Sequence, residues 1–414
     1  MLAAGLLAGA PSARGEAAGE GRERAAIRAA DLVDFIGVNT HVAYTDSRYA
    51  DARKVVEALG YIGVTRVRDS IPNPSLPGNG WYNYPTLAQA GIRFNLVAGG
   101  NDVDLKATVE RLEQLEQRAP GAVAAVEGPN EYNNWPFPFE GRTGNDAAVA
   151  FQNGLDARLR GSRLLDRVPF YNLTTWPPAF GRYDLLTVHI YPKHGEQPRA
   201  VMAHEVRKFA HDGRFFPASL TEIGYYTLQK KIGWGGVDDV TQARLTLNTL
   251  LVAKQMGFAS VYLYELLDAY PDPGNTEVER HFGLFSSDYA PKPAATALRR
   301  LTAALADPGE DRHRFAPARR RYTLETEGAF DILACEKSTR ETVLVVWDER
   351  PVWDADALAP RPVPEQPVRL VLGEARQVLS VTDLVTGEAL PAPPQPSDGL
   401  TLPMRGNPVA VVVR

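Results

Sequence analysis

Two stretches of the 414-residue chain place carboxylates directly after apolar runs. AVAAV empties into EGPNEYNNWP, Glu127 to Pro136, and PASL leads into TEIG, residues 221–224. A buried strand ending in Gly, Pro, Asn and Glu either turns at the surface or presents groups to a ligand. Two carboxylates facing each other over one substrate are the equipment for glycosidic cleavage: one protonates the leaving oxygen, and the other attacks the anomeric carbon or activates water. Glu131 and Glu222 are the candidates. The acid must hold its proton near neutral pH through burial or its partner's charge, while the nucleophile must stay ionised. A neighbouring arginine favours the ionised form, and Arg68 in VTRVRD is placed to supply it. Glu127, still on the apolar run, reads as structural.

Opposed carboxylates need a scaffold that aims separate strand ends at one point. From residue 34, short β-branched runs alternate with longer amphipathic stretches, the pattern of repeated βα units and a parallel sheet. DFIGVN, VTRVRD, GIRFNLVAG, AVAAVEGPNE, VPFYNLT, DLLTVHIYP, PASLTEIG and SVYLYELLD are the strand candidates. Between them run helical stretches such as Tyr49 to Leu59 and DLKATVERLEQLEQR, the latter with Leu105, Val109, Leu112 and Leu115 at helical spacing and Asp102 or Asp104 as N-cap. This predicts a (β/α)8 TIM barrel over residues 31–308, with only the short WPPAFGRY between the fifth and sixth strands. From residue 309 to 414 the chain changes to alternating strands, RYTLETE through PVAVVVR, broken by the Pro-rich ALAPRPVPEQP and PAPPQPSDG. That predicts a C-terminal antiparallel β-sandwich.

In a barrel of this kind the carboxyl ends of the strands form the active face. Collecting them gives Asn39 and His41, Arg68 and Asp69, Asn130 and Glu131, His189 and Tyr191, Glu222, and Glu265 with Asp268. Glu131 and Glu222 fall after the fourth and seventh strands. Aromatic residues lie where sugar rings stack: Trp81 and Tyr82, Trp135, Trp176, Tyr225 and Tyr226, and Trp234. Aromatic faces cover the apolar C–H faces of sugars and leave hydroxyls free, and together these rings suggest a cleft for several sugar units. Singly, each is equally well explained by loop packing.

GPNE (128–131) and TEIG (221–224) resemble the acid/base and nucleophile motifs of the clan A glycoside hydrolases, over residues 34 to 305. HIYP (189–192) and GLFSSDYAPKPAATAL (283–298) make the likeness greatest to family 39 and similar family 5 enzymes. The resemblance implies that Glu131 is the general acid/base, with Asn130 bonding the sugar 2-hydroxyl, and that Glu222 is the nucleophile of a retaining double displacement. It further implies that Tyr191 bonds the nucleophile, that His189 supports the site and that Arg68 holds the nucleophile in place. The chain departs from the family where the third strand ends VAGG and where the eighth runs YLYELLD in place of a tryptophan platform. Glu265 occupies that region and is expected to bond a sugar hydroxyl, with pairing to an arginine as the alternative.

Composition excludes other classes. A net charge of −5 and the lack of any basic tract interleaved with aromatics argue against a nucleic-acid partner. Hydrophobic residues at 44% and charged residues at 23% are globular values, and no apolar run reaches membrane-spanning length. The single cysteine, Cys335 in DILACEK, reads as an inert sheet thiol. No HExxH or related spacing offers a metal site, GWGGVDD lacks a phosphate-loop context, and no Ser or Cys sits in a nucleophile elbow, so no cofactor is expected. Residues 1–30 read as a leader, the tail of an export signal with Ala8-Gly9-Ala10 as an A-x-A pattern, which predicts a secreted or periplasmic protein acting on a carbohydrate. A plain disordered leader fits those residues equally well. The rival reading is a glycan-binding protein that keeps the barrel without turnover and serves assembly or export of a cell-surface polysaccharide. A uronate lyase is disfavoured, since the strand ends supply chiefly Arg68 as a cation.

Overall fold

The computed structural model describes residues 24–72, 78–99, 104–210, 213 and 215–414. The apolar runs form eight parallel strands: β1 (Ile36–Asn39), β2 (Arg66–Ser70), β3 (Arg93–Val97), β4 (Val123–Glu127), β5 (Phe170–Tyr171), β6 (Leu186–His189), β7 (Ala218–Ile223) and β8 (Ser260–Leu263). Their hydrogen-bonded order runs from β5 through β4, β3, β2, β1, β8 and β7 to β6. A parallel bridge between Tyr171 and Leu185 brings β5 back to the start of β6 and closes the barrel. β1 and β7 are buried at every position, as strands covered on both faces must be.

Helices cover the outside: α1 (Ala29–Phe35), α2 (Ala52–Ile62), α3 (Asn83–Gln89), α4 (Leu105–Arg118), α5 (Gly144–Gly161), α6 (Pro198–Phe209), α7 (Asp239–Met256) and α8 (Pro293–Leu305). Asp104 caps α4 by accepting from the Lys106 and Ala107 amides at 2.7 and 3.3 Å; the alternative cap, Asp102, lies outside the described residues. No helix separates β5 from β6, as WPPAFGRY predicts. Asn172 pins that loop instead, donating to Ala179 O at 2.9 Å and accepting from the Gly181 amide at 3.2 Å. DFIGVN is corrected at its start, where Asp34 and Phe35 end a helix and the strand begins at Ile36.

Beyond the barrel, β9 (Thr323–Glu325), β12 (Gln366–Arg376) and β14 (Ser397–Met404) form one antiparallel sheet. β10 (Phe330–Glu336), β11 (Thr342–Asp348), β13 (Val378–Asp383) and β15 (Val409–Val413) form the other. Leu344, Val346, Val368, Leu370, Leu402 and Val411 pack between the two. Residues 1–23 of the expected leader lie outside the described structure, while Ile27–Arg28 runs parallel to β10 and extends the second sheet. Cys335 is buried, and burial pushes its thiol up to about 12, an unreactive state. None of the described helices is long and apolar enough to cross a membrane.

Candidate active site

Strand register does the positioning. Asn39 of β1 pairs with Arg68 of β2, and Arg68 with Asn95 of β3. Across the barrel, His189 of β6 pairs with Glu222 of β7. Parallel register thus sets polar side chains from separate strands at one level of the barrel mouth.

Arg68 is the hub. Its Nε and Nη2 fork onto Glu127 at 2.9 and 2.8 Å, Nη1 donates to Glu222 Oε1 at 2.6 Å and Asn39 Oδ1 at 3.0 Å, and Nη2 also reaches Asn130 Oδ1 at 2.7 Å. Each of the five guanidinium N–H groups therefore has an acceptor. Burial disfavours the charge, but Glu127 and Glu222 outweigh it and hold Arg68 protonated. Glu127 is fully buried and also accepts from Asn95 Nδ2 at 2.8 Å, so it serves as the counter-ion of Arg68. Asn95 had no signal in the sequence, because GIRFNLVAG reads as an ordinary buried strand.

Glu222 is held from three sides: Arg68 on Oε1, and the Tyr191 hydroxyl on Oε2 at 2.6 Å with His189 Nδ1 at 3.5 Å. Burial pushes its carboxyl up, but the His189 and Arg68 charges and the Tyr191 bond prevail and hold it below the ordinary carboxylate range. Glu131 stands opposite, on the loop after β4. Gly128 opens that loop because a Cβ there would collide with Gln152, which bonds Tyr171 O at 3.0 Å. Glu131 itself takes a left-handed backbone, φ +42°, with its amide donating to Thr174 Oγ1 at 3.0 Å. Its Oε1 lies 2.6 Å from His189 Nδ1, and Oε2 accepts from Asn134 at 3.2 Å. One donor atom from each of Glu131, His189 and Glu222 lies within 4.8 Å of the others. Such a trio is near enough to share a metal ion, but the Glu222 oxygens are already engaged by Arg68 and Tyr191.

A cavity of about 580 Å³ opens in front of the pair. It is lined by Asn39, His41 and Arg68, by Asn130, Glu131 and Trp135, and by Tyr191 and Trp234. Trp135 is 59% exposed at the rim. The eighth-strand end corrects the sequence reading: Tyr264 and Phe282, with Trp234, supply the aromatic wall that YLYELLD was read as lacking. Glu265, expected to bond a sugar hydroxyl, instead lies behind that wall at 1% exposure, accepting from Tyr49 Oη at 2.9 Å and facing His41 Nε2 at 3.3 Å. His41 is raised by Glu265 against the opposing effect of burial. Trp81 is placed off the cavity too, packed on Tyr84 at 4.8 Å under the Arg111 guanidinium. Tyr225 and Tyr226 are buried packing groups, and Trp176 rests on Phe209 outside the cavity. Asp268 pairs with Lys292 at 2.7 Å, and burial lifts it to about 6. Glu279 reaches the wall from the long connection after β8, where no strand-end argument could find it.

No protein-family model and no curated protein matches the sequence. Solved structures do match. A family 39 glycoside hydrolase from Bacteroides cellulosilyticus superposes with a TM-score of 0.61 at 16% identity, over 93% of this chain and 82% of that one. A glucosidase from Croceicoccus marinus gives 0.61 at 13% identity over 95% and 98%, and a monomeric β-xylosidase from Caulobacter crescentus 0.59 at 13% over 95% and 97%. Through both the barrel and the C-terminal sheets, the chain is thus similar in fold to glycosidases, family 39 glycoside hydrolases among them.

Proposed function

We propose that the protein is a retaining glycoside hydrolase, acting outside the cytoplasm on an oligo- or polysaccharide. The observation that carries this reading is the close approach of Glu131 and Glu222, with oxygens of both within 4.8 Å of one His189 nitrogen and of each other. Retaining enzymes hold their carboxyl groups about 5–5.5 Å apart, whereas inverting ones need about 6.5–9.5 Å to admit a water.

In the first step Glu222, kept ionised by Arg68 and Tyr191, attacks the anomeric carbon. The glycosidic C–O bond breaks, and Glu131 passes its proton to the departing oxygen. A glycosyl ester on Glu222 remains. In the second step Glu131 takes a proton from water, whose oxygen attacks the anomeric carbon and releases the sugar and the Glu222 carboxylate. His189, 2.6 Å from Glu131 and 3.5 Å from Glu222, holds the acid/base across both steps. Asn130, whose Oδ1 is fixed by Arg68, has its amide nitrogen left for a sugar hydroxyl.

Glu222→Ala is expected to abolish hydrolysis in a screen of plant and bacterial glycans, and Glu131→Gln to lower it by about 10³-fold or more, with both variants keeping the wild-type circular dichroism spectrum. Trapping the intermediate with a 2-fluoro glycoside and finding the label on Glu222 by mass spectrometry would confirm double displacement. Wild-type rates in both variants on a confirmed substrate would end the assignment. Glycan binding without product release would favour the non-catalytic binding protein.

A further inference from the structure

The charge inventory of the cavity discriminates among sugars. Three carboxylates lie on its walls, those of Glu131, Glu222 and Glu279. Asp69 is a fourth, but its oxygens are taken by the Thr40 and Tyr84 hydroxyls and the Val42 and Ser70 amides. Arg68 is the one lysine or arginine on the walls among the described residues, and every one of its N–H groups is already bonded within the protein. His41 turns Nε2 toward Glu265, so its charge too is matched from behind. With Glu131 protonated as the acid, a carboxylate or sulfate on an incoming sugar would still meet the Glu222 and Glu279 carboxylates and no unengaged lysine or arginine, and like-charge juxtaposition is a strong means of rejecting a wrong partner.

Glu279 is the wall carboxylate that the hydrolytic steps leave unused. It sits on a single turn, Val278–Arg280, of the long connection between β8 and α8. Its one direct bond among the described residues comes from Tyr264 Oη at 3.4 Å, on the aromatic wall. A carboxylate beside an aromatic face accepts two sugar hydroxyls while the ring covers the C–H face.

We propose that Glu279 is a specificity-determining residue, which makes the subsite beside Tyr264 and Trp234 take sugars without acidic groups and reject uronic acids and sulfated sugars. The inference rests on the glycosidase reading for its substrate class, but its first test does not require turnover. Full-length protein is applied to an array of glycans in matched pairs, each neutral member beside its uronate counterpart. Binding to neutral members with roughly 100-fold weaker binding to their counterparts is expected. Preference for the uronate members overturns the proposal. The second test applies Glu279→Gln and Glu279→Lys to matched aryl glycosides and aryl glycuronides. The neutral-to-uronate ratio of kcat/KM is expected to fall about tenfold or more, chiefly through a lower KM for the uronate, and further in Glu279→Lys than in Glu279→Gln. An unchanged ratio in both variants overturns the role of Glu279. Neutral-glycan preference without turnover on any pair keeps charge selection and removes the hydrolase reading. Binding to neither member of any pair overturns both.

Discussion

At the scale of single residues, the site is organised around one guanidinium. Arg68, 5% exposed, is bracketed by the buried Glu127 and by Glu222. Removing one partner of a buried pair leaves an uncompensated charge, so Arg68→Met is expected to lower stability by about 3–5 kcal/mol, read from the urea unfolding midpoint. A midpoint equal to wild type would show that Glu127 does not depend on it. Tyr191 has a separable effect. Its hydroxyl helps hold Glu222 below the ordinary carboxylate range. A carboxylate depressed in this way stays ionised into mild acid, and activity that needs it falls only as pH drops through its folded value. Tyr191→Phe takes away one stabilising bond, raises that value, and is expected to move the acid limb of kcat/KM to higher pH. Glu131, Asn130, Tyr191 and Glu222 were legible as candidates because each follows an apolar run, and Arg68 because a charged pair with Asp69 closes the second strand candidate VTRVRD. Asn95 and Glu279 were not: one sits inside a strand, the other on a loop whose path depends on the rest of the fold.

At the scale of elements, a hairpin from the C-terminal part braces the loops after β6 and β7. Between β11 and β12 the chain makes an excursion in which Trp353–Asp354 pairs with Ala359–Pro360. Trp353, 5% exposed, packs with Tyr225, Val237 and Leu245, and its ring fills the space beside Gly195 that a side chain would need. The loop after β6, which carries Tyr191, is tied at His194 N to Trp234 O at 2.9 Å and at Gln197 Nε2 to Arg350 O at 2.8 Å. Trp353→Ala is therefore expected to lower stability by about 3–5 kcal/mol. It is also expected to speed amide exchange in residues 191–197 and 225–237, measured by mass spectrometry on the full chain. Exchange unchanged in both loops would show that the hairpin does not support them. RPVWDADALAP has no strand or helix period, so this brace could not be read from the sequence.

At the scale of the whole molecule, the barrel and the sandwich share a core. β11 is buried at every position, Leu344 and Val346 facing the sandwich while Val343, Val345 and Trp347 join the barrel's own cluster. Arg199 of α6 bonds Glu349 at 2.6 Å and Asp331 at 2.5 Å across the junction, and Arg300 of α8 donates to Val385 O at 2.6 Å. A shared apolar face couples the two parts energetically, so calorimetry is expected to show one cooperative transition rather than two. Two resolved transitions would mean that each part is stable alone.

The alternation of β-branched runs with amphipathic stretches was enough to set out the eight parallel strands, the missing helix between the fifth and sixth, and the change to antiparallel strands near residue 309, because hydrophobic period is local information. It also determined which carboxylates could end up at strand ends. Folding in three dimensions was needed to bring Glu131 and Glu222 onto His189, to turn Glu265 inward while Tyr264 faces the cavity, and to carry Glu279 to the wall. Those outcomes depend on strand register, on which way a side chain leaves the backbone and on where a long loop settles, and each is fixed by contacts between residues far apart in the chain.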